Sequence, residues 1–329
     1  MGGTMARHIG TLAALVAAYL IGTAAAPTQA QAQGCERGAL DAAYCDADGD
    51  MVADTPTDPK QRVNPSVLVF AYTPVEDPAV YGKVWDGFIK HMEKTTGKKV
   101  VFFPVQSNAA EIEAMRSGRL HVAGFNTGSN PIAVNCAGFV PFAIMGGKNG
   151  EFGYEMELIV PADSAIKSPA DLKGKKIAFT EPTSNSGFKA PSAILKADFN
   201  LEKDRDYTAV FSGKHDNSVI GVANKDYEAA AIANEVMFRM FARNVVDKAK
   251  IRTIYKSDTF PTTGYGVAHN LDPALTEKIK QAFFTFPWEG SALKAEFKGQ
   301  DRFVPITYKK DWNVIRKIDA ANGVKYTCK

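Results

Sequence analysis

From Ser66 onward, short apolar runs alternate with amphipathic stretches, and this alternation limits the possible folds more than any other feature of the chain. Residues 67–71 are an apolar run of strand length. Across 79–95, Val80, Val84, Phe88 and Met92 recur every four residues, the period of one helix face, and Gly97 stands where such a helix can end. A strand over 99–105 follows; Asn108-Ala109-Ala110-Glu111 has the pattern of a capping box opening a helix to Arg116, and 120–125 is again strand-like. The cap Ser168-Pro169-Ala170-Asp171 opens a second series: strand 176–180, helix 186–197, strand 209–211, helix 217–223 and strand 228–233. Strands alternating with helices predict α/β sheets with parallel members, here in two compact units. After Gly264, a strand over 265–268 leads to late helices at 273–284 and 310–320.

The length agrees with two units, since 329 residues at roughly 100–200 per domain make about two. With 45% hydrophobic and 23% charged residues, the chain is neither disordered, collagen-like nor coiled coil. Its net charge of +3 comes without a Lys/Arg-rich block, which excludes the electrostatic footprint of a nucleic-acid binder.

Residues 1–32 have the layout of a secretory signal peptide: Arg7 and His8, an uncharged apolar run over 9–26, then Pro27 and the A-x-A site Ala30-Gln31-Ala32. The expectation is cleavage after Ala32 and export. The competing reading, an uncleaved membrane anchor, has a run near the lower length limit for a span. Gly34-Cys35 would permit lipidation, but Ala32 and Gln33 make a poor lipobox. Cys35, Cys45, Cys136 and Cys328 all follow the cleavage site, and an even number in an exported chain points to disulfides. Three pairings are possible. Cys35 with Cys45 would close a short local loop and leave Cys136 with Cys328, tying the C-terminus back to the first half of the fold.

An extension over 33–65 precedes the first strand. In it Asp46, Asp48, Asp50 and Asp54 occupy positions 1, 3, 5 and 9 of a Gly-containing loop. Oxygen ligands at this density suit a hard cation, although the spacing is not that of an EF-hand. It resembles the calcium loops of thrombospondin type-3 repeats, and a structural Ca²⁺ is expected there; the alternative is a solvated acidic linker. Pro56, Pro59 and Pro65 would then stiffen the tether to the first strand.

Three polar clusters lie at predicted strand ends. Thr180-Glu181-Pro182-Thr183-Ser184-Asn185-Ser186-Gly187 follows a strand and opens a helix, offering hydroxyls, an amide and free backbone N–H groups at a positive helix end. That is an anion site, and it exceeds what a single capping Ser would need. Ser212-Gly213-Lys214-His215-Asp216-Asn217-Ser218 occupies a similar junction, where His215 could donate from one ring nitrogen while a neighbour orients the other. Asn234-Glu235 ends the strand over 228–233.

The order Ser184-Asn185-Ser186-Gly187, then Ser212-Gly213-Lys214-His215-Asp216, then Asn224-Lys225-Asp226-Tyr227-Glu228-Ala229-Ala230-Ala231 is similar to the phosphate/phosphite/phosphonate-type periplasmic substrate-binding proteins of ABC transporters, over about 66–286. Tyr72, after the first strand, and the turn Phe125-Asn126-Thr127-Gly128 fall where such proteins place first-lobe contacts. The resemblance implies a two-lobed type II periplasmic-binding-protein fold, each lobe a mixed, mainly parallel sheet flanked by helices. Lobe 1 would comprise 66–159 plus 265–329 and lobe 2 160–264, with crossings near 157–161 and 263–267. Carried onto this chain, Ser184, Asn185 and Ser186 would hold an oxyanion, His215 would donate to it, and Asn234 and Glu235 would contribute from the last strand end. Tyr72, Asn126 and Thr127 would close over it from lobe 1. The family pattern often has Thr at Asn185 and an acid near Asn234, so these departures bear on which oxyanion is chosen; an amine-bearing ligand would need Glu235 or Glu76.

The function implied is capture of a small phosphorus oxyanion (phosphate, phosphite or a phosphonate) in the periplasm by a monomer that delivers it to a membrane permease, with no cofactor for transport. The alternative is an oxyanion-sensing receptor, for example for an arsenic oxyanion, feeding a membrane sensor kinase. Ser184 or Ser186 with His215 and Asp216 could imitate a hydrolase triad, but no G-x-S-x-G, H-E-x-x-H or P-loop motif is present, and no catalysis is expected.

Overall fold

The computed structural model describes residues 35–328 and contains eleven strands. They are β1 (Val67–Tyr72), β2 (Lys99–Phe102), β3 (Val122–Phe125), β4 (Phe139–Gly146), β5 (Tyr154–Pro161), β6 (Lys176–Phe179), β7 (Thr208–Phe211), β8 (Ala229–Ala233), β9 (Ile251–Phe260), β10 (Gly264–Ala268) and β11 (Arg302–Pro305). They form a six-stranded sheet in the order β11-β4-β10-β3-β1-β2 and a five-stranded sheet in the order β7-β6-β8-β5-β9. In each sheet parallel pairing is confined to three strands, β2-β1-β3 and β7-β6-β8, and the remaining pairings are antiparallel. The sheets are mixed, as expected, but less parallel. Of the strands that add the antiparallel pairs, β4, β5, β9, β10 and β11, the strands β4, β9 and β11 carry no local helix-strand alternation to reveal them.

The expected boundary at 159/160 falls inside β5, which pairs with β8 from Met156 and with β9 from Tyr154. The chain leaves the first sheet after Gly146 and returns to it at Gly264, so the crossings lie at 147–153 and 261–263. Residues 157–161 belong to the second sheet because their backbone groups are already paired within it.

The first lobe is built around its first helix, Gly82–Thr96, which Gly97 ends in the left-handed conformation (φ 71°). Trp85, Phe88 and Met92 face inward, and a 3-10 turn at Pro78–Val80 replaces the predicted first turn. Trp85 meets Phe70 of β1 edge-on at 4.8 Å, and Phe88 meets Phe283 of the helix Pro273–Phe284 at 4.7 Å. Truncating such a side chain typically costs about 3–5 kcal/mol. The next helix, Asn108–Arg116, is capped by Ser107 rather than Asn108: the Ser107 hydroxyl accepts from the Ala110 N–H. Helix Asn130–Ala137 has no counterpart in the sequence reading, because its mostly apolar residues are buried all round and show no polar face. The predicted helix over 310–320 is broken at Trp312 into Tyr308–Asp311 and Asn313–Ala321.

The disulfides are Cys35–Cys45 and Cys136–Cys328. The first closes the extension; the second fastens the C-terminal segment to the helix Asn130–Ala137. The extension is docked rather than a free tether, since Val63 exchanges backbone hydrogen bonds with Asn270 and Asp272. The predicted signal peptide lies outside the described residues. Among the described residues no helix is long and apolar enough to cross a membrane.

Candidate functional site

At the end of β6 the chain turns sharply into a π-helical turn, Asn185–Lys189, before the α-helix Ala190–Phe199. Single π turns recur at functional sites. Ser184 Oγ accepts from the Gly187 N–H, while the N–H groups of Asn185 and Ser186 have no intrahelical acceptor. Glycine is required at 187: a Cβ there would lie 1.9 Å from Thr180 Oγ1.

Polar groups converge on this turn. Asn185 Nδ2 donates to the Tyr154 hydroxyl at 3.2 Å, and the side chains of Ser186 and Thr127 also lie within hydrogen-bonding reach of that hydroxyl. Burial raises the Tyr154 pKa despite those bonds, so it stays a neutral donor. Asn185 Oδ1 is buried without a partner. His215 is the first residue of the helix His215–Ala223, and its Nδ1 accepts from the Ala233 N–H at 3.1 Å. Burial, assisted by the Arg239 charge, lowers the His215 pKa to about 3. The imidazole is therefore neutral, with its hydrogen on Nε2 as a donor. Tyr72 is buried beside Thr263, and burial raises its pKa against the pull of Arg239.

Two predicted contact residues are otherwise engaged. Asn126 Nδ2 donates to Thr73 Oγ1 and Asn108 Oδ1, and its Oδ1 accepts from Gly128 and Ser129. Asn234 is locked to Glu155 through both side-chain atoms, at 3.1 Å each. Thr127 Oγ1 donates to Pro261 O at 2.7 Å, tying the first lobe to the returning crossing. Glu235 lines a cavity of about 480 Å³ with Tyr154, Phe238, Arg239, Arg243 and Phe297. Burial raises the Glu235 pKa, with Arg239 opposing.

The lobes are closed on each other. A Cβ at Gly128 would lie 2.2 Å from Thr183 O and 2.3 Å from Asn185 N, so only glycine allows this approach. Asn108 Nδ2 donates to Thr183 Oγ1 at 2.8 Å, and Lys189 Nζ, almost fully buried, donates to Gly128 O at 2.8 Å while pairing with Asp319 at 2.9 Å. On the other side Glu76 of the first lobe pairs with Arg239 at 3.3 Å and with Arg243, and accepts from the Tyr81 hydroxyl. Glu296 pairs with the same two arginines at 3.5 and 3.2 Å. Glu76 is thus part of an interlobe latch. Sequence reasoning missed Tyr154, Lys189, Arg239 and Arg243; the one available signal was that Arg239 follows Glu235 by four residues, placing both on one helix face.

Ser186, His215, Asp216 and Ser184 form no triad, since Ser184 Oγ caps Gly187, His215 Nδ1 is bonded to backbone and Asp216 accepts from the Asp77 N–H. In the extension, Asp46, Asp48 and Asp50 each bring a carboxylate oxygen within 4.8 Å of the others. Asp54 is not one of the three; its Oδ2 accepts from the Ala47 N–H at 2.8 Å.

Residues 70–312 match the family of periplasmic substrate-binding proteins of phosphonate ABC transporters. The chain belongs to this family. The family consists of solute-binding transport proteins, and its members work in the periplasm. A phosphate-import protein, PhnD of Mycolicibacterium smegmatis, is 27% identical over 289 residues, 84% of this chain and 89% of that protein. The phosphonates-binding periplasmic protein of Escherichia coli is 28% identical over 206 residues, 61% of each chain. Among solved structures, PhnD1 of Prochlorococcus marinus in complex with methylphosphonate superposes with a TM-score of 0.70 at 18% identity, covering 79% of this chain and 99% of that one. The likeness to this structure confirms the type II periplasmic-binding-protein fold. This protein is the phosphonate-type solute-binding component of an ABC transporter.

Proposed function

We propose that the cleft takes a tetrahedral phosphorus oxyanion at the π turn, with Ser184, Asn185, Ser186, His215 and Tyr154 as its donors. The observation that carries this reading is the π turn itself, where the N–H groups of Asn185 and Ser186 have no intrahelical acceptor and Asn185 bonds the buried Tyr154 hydroxyl; the neutral His215, with its Nε2–H free to donate, supports it. Hydrogen bonds from fixed dipoles to an ionised oxygen are about twice as strong as neutral ones, and more so in a cleft closed to water. Tyr72 and Thr127 form the lid from the first lobe, whereas Asn126 and Asn234 hold their own lobes in shape.

Phosphonate is favoured over phosphate because the cavity lined by Glu235 and Tyr154 gives room for a substituent beside the oxyanion donors. The ligand is delivered by the closed monomer to a membrane permease after export through the N-terminal signal peptide, and transport needs no cofactor.

The test is isothermal calorimetry of ligand-stripped protein against phosphate, phosphite, methylphosphonate, 2-aminoethylphosphonate, arsenite and sulfate. Micromolar or tighter binding of a phosphonate is expected. Silence across the phosphorus compounds would sink the reading, and preference for arsenite would favour a sensor.

A further inference from the structure

We propose that the N-terminal extension holds one Ca²⁺ between Asp46, Asp48 and Asp50, and that this ion fastens the extension to the first lobe. The three side chains supply an oxygen each within 4.8 Å of one another, a spacing that a single cation can bridge. Asp48 and Asp50 are exposed, which alone would be unremarkable for acidic residues. Asp46 is different. Only 6% of it is exposed, its Oδ2 accepts from the Met51 N–H at 3.2 Å, and its Oδ1 is buried without any hydrogen-bond partner. A buried carboxylate oxygen with nothing to bind carries a desolvation cost that a cation would remove. Among the described residues none of the three carboxylates is in an ion pair, so no Lys or Arg answers their combined charge.

The choice of metal follows from the ligands. Carboxylate oxygens in an irregular loop suit Ca²⁺, which accepts six to eight oxygens in flexible geometry, better than Mg²⁺, which demands a near-ideal octahedron and keeps its waters. Thiolates and imidazoles are missing from the set: Cys45, next to Asp46, is in the disulfide with Cys35. The loop is held from both sides. The Asp54 N–H donates to Cys45 O at 2.8 Å, and Lys309 of the first lobe donates to Gly49 O at 2.9 Å. A bound ion would therefore join the disulfide-closed extension, the acidic loop and the helix Tyr308–Asp311 into one unit, remote from the oxyanion donors.

The experiment uses EDTA-treated mature protein in calorimetry with CaCl₂ and MgCl₂, and thermal melts with and without EGTA. One equivalent of Ca²⁺ should bind, more tightly than Mg²⁺, and should raise Tm reversibly, while phosphonate affinity stays the same. Both Asp46→Asn and the double variant Asp48→Asn/Asp50→Asn should lose the Ca²⁺ isotherm and the Tm shift. The double variant alters exposed side chains only and guards against misfolding of Asp46→Asn. Absence of heat and of a Tm shift up to about 5 mM Ca²⁺, above the weak range of extracellular sites, would overturn the proposal. So would an isotherm unchanged in the double variant.

Discussion

His215 Nδ1 accepts the Ala233 N–H at 3.1 Å, so the start of one helix and the end of β8 together decide which nitrogen of the ring carries hydrogen. The donor is Nε2 in every protonation state reached above pH of about 3, where burial has put the pKa. Replacing His215 by Asn keeps an acceptor near the Ala233 N–H and removes the Nε2 donor. Phosphonate affinity should fall about 10- to 100-fold, the worth of one hydrogen bond to a charged group, while circular dichroism stays native. Unchanged affinity by calorimetry would remove His215 from the site.

The same ring makes acid stability predictable. An unfolded His binds a proton below about pH 6.5, whereas folded His215 does so only near pH 3 and folded His269, half-buried, near pH 4. Their contribution is intact above pH 6.5 and is lost as pH falls toward those values, at up to roughly 1.4 kcal/mol per pH unit for each group. Urea melts between pH 6.5 and 4.5 should show a shallower decline for His215→Asn than for the parent; equal slopes would contradict the shift.

Glu111 behaves oppositely. It is fully buried, both oxygens lack partners, and burial with the Glu181 charge raises its pKa well above normal. A raised carboxyl pKa favours the fold at low pH and costs stability as pH rises. Glu111→Met should therefore be more stable than the parent, with the advantage growing from pH 5 to pH 8 in thermal melts; a lower Tm at pH 8 would refute this.

Gly128 is the point where the closing lobes touch backbone to backbone. Gly128→Ala should fold with little loss in Tm but bind phosphonate at least about 10-fold more weakly, because its Cβ meets Thr183 O at 2.2 Å and closure would require a backbone shift. Small-angle scattering should show no ligand-induced compaction in this variant. Compaction equal to the parent's would mean that the lobes close by another path.

The Glu76 latch predicts an effect on closure without any contact to the oxyanion donors described above. Glu76→Gln leaves Arg239 buried with less compensation; losing one partner of a buried pair commonly costs about 3–5 kcal/mol. Part of this is relieved by opening, so the expected outcome is weaker binding with faster ligand release in stopped-flow measurements. Parent-like release would show that the latch does not report on closure.

The parallel strands and their following helices were legible because each repeats a local pattern: Val84, Phe88 and Met92 declare a helix face, and Ser184 to Gly187 declare its neighbour's start. β4, β9 and β11 were not, since their partners are distant in sequence and their residues lack a clear local period; that is why the crossings were misplaced by several residues. Of the proposed site, Ser186 and His215 stood out through their position at strand ends. Asn126 and Asn234 looked equally suitable, but a sequence does not reveal that backbone N–H groups and Glu155 already occupy their side chains. Tyr154 escaped notice because it lies at the beginning of a strand, where no motif marks it, and Lys189 because a buried lysine is foreseen only when its partner, Asp319, is known.

The bond between Cys136 and Cys328 gives the molecule a covalent topology that its hydrogen bonds do not. All of the five-stranded sheet, and both crossings that lead into and out of it, lie between these two cysteines in the chain. The second lobe is thus threaded on a closed ring of backbone whose clasp is in the first. A protease cutting either crossing opens the ring without dividing the molecule; cutting both frees the second lobe as a separate chain, while the clasp still holds the two segments of the first lobe together.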